Sequence, residues 1–243
     1  MIRQESAGGN GYVWLVTLDR PDRRNALDVE HWKSLTQTVE AAAQQEVRAI
    51  VLTGAGSAFC AGADLTDAPT TEMAEQVERA FSAVRDTPVP VIAHVNGAAV
   101  GAGAQLAVSC DLRVAGHSGR FRIPAAQISL PVHPGTIRRL VALAGMGTAR
   151  AMLLGGDWVG AERAYALGLA DRIGDLDDAI AWASDISGYA PLVLRYFKDQ
   201  LQLANPPDSQ RYRETMQAIL GSEDFAEALR ARKESRPPKY TGR

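Results

Sequence analysis

The sequence is short of cysteine, lysine and long apolar runs, and each shortage closes a route. Cysteine occurs only at positions 60 and 110. No other metal-type residues cluster near either, so neither a disulfide framework nor a zinc site is expected. No run reaches about 18 uninterrupted apolar residues, so no transmembrane segment is expected. The opening "MIRQESAGG" has no apolar stretch of the secretory kind. The expectation is a cytoplasmic protein. No charge of one sign prevails: the net charge is −2, which gives no basic field for nucleic acid. Lysine is confined to 33, 198, 233 and 239, so arginine carries most of the positive charge. That skew fits a GC-rich coding sequence and equally supplies planar donors for phosphate. What remains is ordinary globular material. The 243 residues, 46% hydrophobic, suffice for one large domain or for a domain with an appendage.

"GYVWLVTLDRP" reads as a strand ending at Pro21. Asp28 is placed to cap a helix whose Val29, Trp32, Leu35, Val39 and Ala42 fall on one face. "VRAIVLTGAG" and "PVPVIAHVNG" read as short buried strands running into glycine. Between them "PTTEMAEQVERAFSAVRDT" is amphipathic at helical spacing, with Met73, Val77, Phe81 and Val84 aligned. Residues 101–109 predict a small helix, "CDLRVAG" and "GRFRI" two further strands, and the chain beyond Gly135 is mainly helical. Strand and helix alternate about every forty residues, the pattern of an α/β core with covered sheets. We expect a core over 1–190. Residues 191–243 read as a helical region, broken at Pro206-Pro207, that packs on the core or on a neighbouring subunit.

Two glycine-rich turns carry the chemical signal. "TGAGSAFCAGADL" spans 53–65 and "NGAAVGAGAQLA" spans 96–107. Each follows a predicted strand. Small residues there admit close approach of a ligand to the backbone, and the helix after the second turn adds its positive end. Either turn alone reads equally well as a tight connection packed on the core. A dinucleotide fingerprint fits less well, because Leu106 stands where a third glycine is wanted.

Taken together the turns resemble those of the enoyl-CoA hydratase/isomerase, or crotonase, family. "LDRPDRRNAL", "RFRIPAAQISLPVHPGTIRRL", "AERAYALGLADRI" and "DFAEALRARKESRPPKY" extend the resemblance, in order, over nearly the whole chain. It implies a crotonase-like α/β spiral of ββα units with a C-terminal helical region, assembled as a homotrimer or a dimer of trimers. It also implies an acyl-CoA ligand and no further cofactor or metal. The thioester oxygen would lie between the backbone N–H groups of Ala63 and Ala102. Ala26, Ala61, Asp64, Leu65 and Gly101 would line the ligand, with Arg23, Arg24 and Arg236 candidates for its phosphates. Solvated surface arginine is the alternative for each of the three.

The pattern breaks where protons should move. The family's hydratases use two glutamates. This sequence has Gln105 at the first position and Ala125 at the second. An amide can orient water but cannot take its proton, and alanine can do neither. A positioned acid or base contributes about 10²–10⁴-fold, so efficient hydration is not expected. His133 is a candidate replacement base or, alternatively, a loop histidine fixed between prolines. Asp64 reads more naturally as a brace of its turn, Cys60 as a small buried residue, His94 as structural, and His31 and His117 as surface residues. Arg122, in place of a family glycine, is expected to add bulk and charge near the pocket. The leading expectation is an acyl-CoA-binding protein that has lost hydratase chemistry and works with an acyl-handling protein partner. The alternatives are another crotonase-type reaction through His133 or bound water, a hydratase with relocated acids, and a scaffold that binds proteins or RNA.

Overall fold

The computed structural model describes residues 1–66, 70–202, 214 and 217–243. Strands β1 (Ile2–Ala7) and β2 (Val13–Leu18) form an antiparallel hairpin, with Ile2 opposite Leu18 and Ala7 opposite Val13. β2 continues in parallel register onto β3 (Ala49–Gly54), Trp14 beside Ile50. From there the chain climbs in a repeated pattern. One strand joins a first sheet, the next joins a second sheet, and a helix follows. β3, β4 (Ala58–Cys60) and α2 (Thr71–Asp86) make one such turn. β5 (Val91–Val95), β6 (Ala98–Val100) and α3 (Ala102–Ser109) make the next. β7 (Leu112–Ala115), β8 (Arg120–Arg122) and α4 (Pro134–Arg150) make the third. With β9 (Val159–Gly160) and β10 (Arg172–Ile173), the first sheet runs β1-β2-β3-β5-β7-β10 and the second β4-β6-β8-β9. This is the expected α/β spiral of ββα units.

Burial of the strands on both faces explains their unbroken apolar runs. Ile50, Leu52, Val91 and Ala93 face the main core with Trp32, Phe59, Phe81 and Phe121. The alternate residues Val51, Ile92 and Val114 face Ala179, Ala183 and Ile186 of α6 (Leu176–Ser187), as a two-residue period requires. Trp32 and Phe81 meet edge to face at 5.8 Å and lock α1 (Val29–Ala42) against α2. Helix starts follow local chemistry. Asp28 accepts from the His31 N–H, Thr70 from the Met73 N–H, and Asp175 pairs with Asp178 as a capping box. Helix α4 breaks at Gly145 (φ 76°) and its end passes into a π-helical turn over Ala151–Gly155. A short α5 (Ala161–Leu167) leads to β10.

The C-terminal region holds α7 (Pro191–Gln202) and α8 (Glu223–Lys233). Pro206-Pro207 lies outside the described residues. Lys198 of α7 reaches into the body, donating to Val84 O (3.1 Å), Val89 O (2.9 Å) and the Asp111 carboxylate (2.6 Å). The last residues fold back on α8: the Asp224 carboxylate accepts from the N–H groups of Thr241 (2.6 Å) and Gly242 (2.9 Å). Arg48 donates to Tyr240 O at 2.6 Å. Deeper in the body, the buried Arg113 guanidinium is spent on Leu169 O, Cys110 O, Asp111 O and the Asp171 carboxylate.

His31 is half-buried at the surface, and its Nδ1 lies 2.7 Å from Asp28 Oδ1, so it braces the cap of α1.

The Lys198 side chain is only 5% exposed, so removing its charge leaves Asp111 without its main partner. Lys198→Met is expected to destabilise the fold by about 3 kcal/mol, read as a lower urea midpoint. An unchanged midpoint would show that α7 is not pinned through this pair.

Candidate functional site

The site grows from a backbone zipper. Segment 24–28 runs alongside 61–64. The Ala61 N–H donates to Arg24 O (3.0 Å), the Leu27 N–H to Gly62 O (2.9 Å) and the Asp64 N–H to Leu27 O (2.8 Å). Leu27 and Ala63 thereby form a parallel bridge. In that pattern Leu27 uses the groups flanking Ala63, so Ala63 turns its own N–H and C=O to the other side. Gly62 (φ +102°) makes the turn possible. A Cβ there would meet Val100 O at 2.8 Å and Ala102 N at 3.1 Å, so the first turn lies directly on the second.

The second turn leaves β6 through Gly101, whose φ of 55° and ψ of −119° suit only glycine. Its N–H donates to Arg122 O at 2.9 Å. The first bond inside α3 is from the Gln105 N–H to Gly101 O (3.1 Å). The N–H groups of Ala102, Gly103 and Ala104 are therefore helix-end donors without an acceptor in their own helix. Gly103 is pressed on Cys60 O, with no room for a side chain. The N–H groups of Ala63 and Ala102 thus belong to one tight junction at the positive end of a helix.

Side chains hold this junction from behind. Asn25 is fully buried in a left-handed conformation (φ 57°). Its amide accepts from the Arg20 N–H (2.9 Å) and donates to Ala55 O (2.9 Å) and Ala58 O (2.8 Å). Asn96 donates to Gly54 O and Gly56 O, both at 2.9 Å. Arg20 Nη1 donates to Ala26 O (3.1 Å) and to Asp64 Oδ2 (2.7 Å). Asp64 Oδ1 accepts from the Thr66 hydroxyl (2.6 Å) and N–H (3.1 Å). Those Thr66 bonds, aided by Arg20, hold the Asp64 carboxyl down at about 2. Cys60 donates its S–H to Asn25 O (3.1 Å) and accepts from the Gly62 N–H (3.4 Å). Burial pushes its thiol up to about 12, so it stays protonated.

The remaining candidates separate. Gln105 is half-buried on the first turn of α3, and its side-chain amide has no hydrogen-bond partner among the described residues. Ala125, 8% exposed, lines an apolar groove of about 340 Å³ with Leu130, Val132, Ile137, Met146 and Leu154. A wider depression of about 1060 Å³ lies between α1 and α2, but its lining is polar and includes none of the candidate residues. His133 is exposed and caps α4, its Nδ1 accepting from the Gly135 N–H at 3.1 Å. His94 is buried, with Nδ1 3.1 Å from Thr53 Oγ1, and burial lowers its pKa. Arg23 and Arg24 are exposed beside the zipper, and Ala26, Ala61 and Leu65 flank it. Arg236 lies at the end of α8. Its guanidinium is taken up by Glu227 (2.6 and 3.1 Å) and Glu234 (2.6 Å). Arg122 does not reach the groove. It donates Nε to Gly156 O (2.7 Å) and stacks 5.4 Å above Trp158, so its expected bulk and charge point elsewhere.

The family model for enoyl-CoA hydratase/isomerase matches residues 8–243. The chain belongs to the enoyl-CoA hydratase/isomerase family. It is 42% identical over 233 residues to the "Probable enoyl-CoA hydratase echA6" of Mycobacterium tuberculosis, covering 95% of this chain and 96% of that one. A "Probable enoyl-CoA hydratase" of Rhodobacter capsulatus is 37% identical over 256 residues, covering 100% and 98%. Among solved structures, an enoyl-CoA hydratase/carnithine racemase from Magnetospirillum magneticum superposes with a TM-score of 0.89 at 31% identity, covering 100% of this chain and 96% of that one. In this chain residues 105 and 125 are glutamine and alanine, neither of them a carboxylate.

Sequence reasoning missed Arg20, Asn25 and Asn96 as braces. The signals available were an arginine and an asparagine on either side of "PDRR" at a strand exit and an asparagine at the head of the second glycine-rich turn.

A carboxyl held low stabilises the fold fully above its ordinary value of 3.8, and the contribution is lost as pH falls through about 2. The stability gap between wild type and Asp64→Asn should therefore narrow steadily from pH 5 to pH 2 in urea titrations. A gap that stays constant would mean that the carboxylate is not held by its partners.

Proposed function

We infer that this chain binds acyl-CoA thioesters and hydrates them poorly or not at all. What supports the reading is the junction of the Ala63 and Ala102 N–H groups, taken with Gln105 and Ala125, which offer no carboxylate. Fixed amide dipoles stabilise negative charge on a thioester oxygen without having to reorganise, each donor contributing roughly 3 kcal/mol. Hydration also needs a base for water and an acid for the α-carbon. The Gln105 amide can hold water by hydrogen bonds, yet it has no lone pair basic enough to take the proton.

The acyl chain runs past Ala125 into the apolar groove between the 125–128 turn and α4. A carboxylate at 125 would face that groove at a desolvation cost; a methyl group does not. A fatty acyl chain is the ligand that this lining favours. Arg23 and Arg24 are the phosphate donors nearest to the zipper in sequence. Arg236 can serve only by leaving Glu227 and Glu234. The protein works as a homotrimer or a dimer of trimers in the cytoplasm, and a protein that consumes or supplies acyl groups is its partner.

A second reading has a specific observation behind it. His133 is exposed at the start of α4, and its Nε2 becomes a base only if the ring hydrogen moves to Nδ1 and the cap bond from the Gly135 N–H is given up. A decarboxylation, a thioester hydrolysis or a relocated hydration could then proceed through that nitrogen.

The test is to titrate the purified protein with a long-chain saturated acyl-CoA by calorimetry and to assay hydration of crotonyl-CoA and a longer enoyl-CoA. We expect saturable binding and a turnover far below the roughly 10 s⁻¹ of an ordinary enzyme. Turnover at that ordinary level would overturn the loss of hydratase chemistry, and failure to bind any CoA ester would favour a scaffold. A CoA-ester product that disappears on His133→Ala would establish the second reading; a product profile unchanged by that substitution would remove it.

A further inference from the structure

The Ala63 N–H can polarise a carbonyl only if it points at it, and nothing in Ala63 itself fixes that direction. Two supports are visible. One is the zipper to 24–28. The other is a single nitrogen, Arg20 Nη1, which donates both to Ala26 O in the zipper strand (3.1 Å) and to Asp64 Oδ2 just past Ala63 (2.7 Å). It also lies 3.6 Å from Asp28 Oδ2, at the cap of α1. The backbone N–H of the same residue is fixed by buried Asn25 at 2.9 Å. Arg20 therefore joins strand, turn and helix start at one point, with its side chain 23% exposed and that of Asp64 14% exposed.

The pair also has an electrostatic consequence. An ionised carboxylate one residue beyond Ala63 would oppose negative charge developing on an oxygen at the Ala63 N–H. A guanidinium in contact with that carboxylate cancels most of its field. Thr66 alone would hold the carboxylate in place but would leave its charge uncompensated.

We propose that Arg20 is a positioning residue for the thioester site: through Asp64 and Ala26 it aims the Ala63 N–H and neutralises the carboxylate beside it. The proposal rests on the reading that the Ala63 and Ala102 N–H groups receive a thioester oxygen. It adds a residue that touches no ligand atom and yet sets how strongly the ligand is polarised.

The test uses an arylacryloyl-CoA, a conjugated thioester whose absorption band moves to longer wavelength as its carbonyl oxygen is polarised. The band is recorded at saturating protein, so that occupancy is equal for every variant, and affinity and thermal midpoint are measured alongside. Wild type is expected to bind with a red shift. Arg20→Met should lose most of the shift while affinity falls by no more than about tenfold, and Arg20→Lys should recover part of it. A purely architectural Arg20 would lower the thermal midpoint and leave the shift of the bound ligand intact, and that result overturns the proposal. Should Arg20→Met fail to fold, Asp64→Asn carries the same test from the other side of the pair. It removes the brace but also the opposing charge, so it should lose a measurable part of the shift; a full wild-type shift with Asp64→Asn would likewise overturn the proposal. Binding by wild type without any red shift would instead defeat the reading of the two N–H groups as carbonyl donors, and the proposal with it.

Discussion

Three backbone hydrogen bonds between 24–28 and 61–64 set the geometry on which the rest of the candidate site depends. They fix Ala63 so that its N–H leaves the ladder on the side away from Leu27. Gly62 then lays that turn on the start of α3, where helix geometry leaves the Ala102 N–H without an acceptor in its own helix. On the proposed reading the chemistry comes from the backbone, and the side chains around it serve mainly to keep it still. Asn25, Asn96, Arg20 and Cys60 spend their hydrogen-bonding capacity on the first turn and on the 24–28 segment that runs beside it. The spiral supplies the setting. Adjacent strands β4 and β6 deliver both turns to the same edge because they are parallel neighbours, Ala58 beside Ala98.

A site of this kind separates two tasks that a hydratase performs together. Gripping and polarising a thioester needs donors that cannot move. Adding water needs groups that gain and lose protons near neutral pH. Neither a carboxamide nor a methyl group does so, and Asp64 is held ionised by Thr66 and Arg20. Burial likewise keeps Cys60 protonated. Asp64 and Cys60, the titratable groups at the first turn, are thus committed to structure.

The sequence disclosed the large elements and concealed the small ones. Helix α1 announced itself through Asp28 and the spacing of Trp32, Leu35, Val39 and Ala42, all four of which are buried. β3 and β5 were legible as β-branched runs because both of their faces are covered. β1 was not, since it is a solvated edge strand whose residues are mostly polar. β9 and β10 have two residues each, too few for any pattern, and exist only because a neighbouring strand accepts them. The site divides in the same way. The glycines marked the turns, whereas the contacts that aim them join residues 33–44 positions apart, such as Asn25 to Ala58 and Arg20 to Asp64. Arg236 illustrates the converse. Its place in the chain invited a phosphate role, but only the fold reveals Glu227 and Glu234 around it.

The most direct test is a crystal structure of the protein with a saturated long-chain acyl-CoA bound. The account predicts the thioester oxygen within hydrogen-bond distance of both the Ala63 and Ala102 N–H groups, the chain lying against Ala125, and no carboxylate or imidazole nitrogen near the α- and β-carbons. A glutamate or aspartate from any subunit poised over those carbons would contradict it.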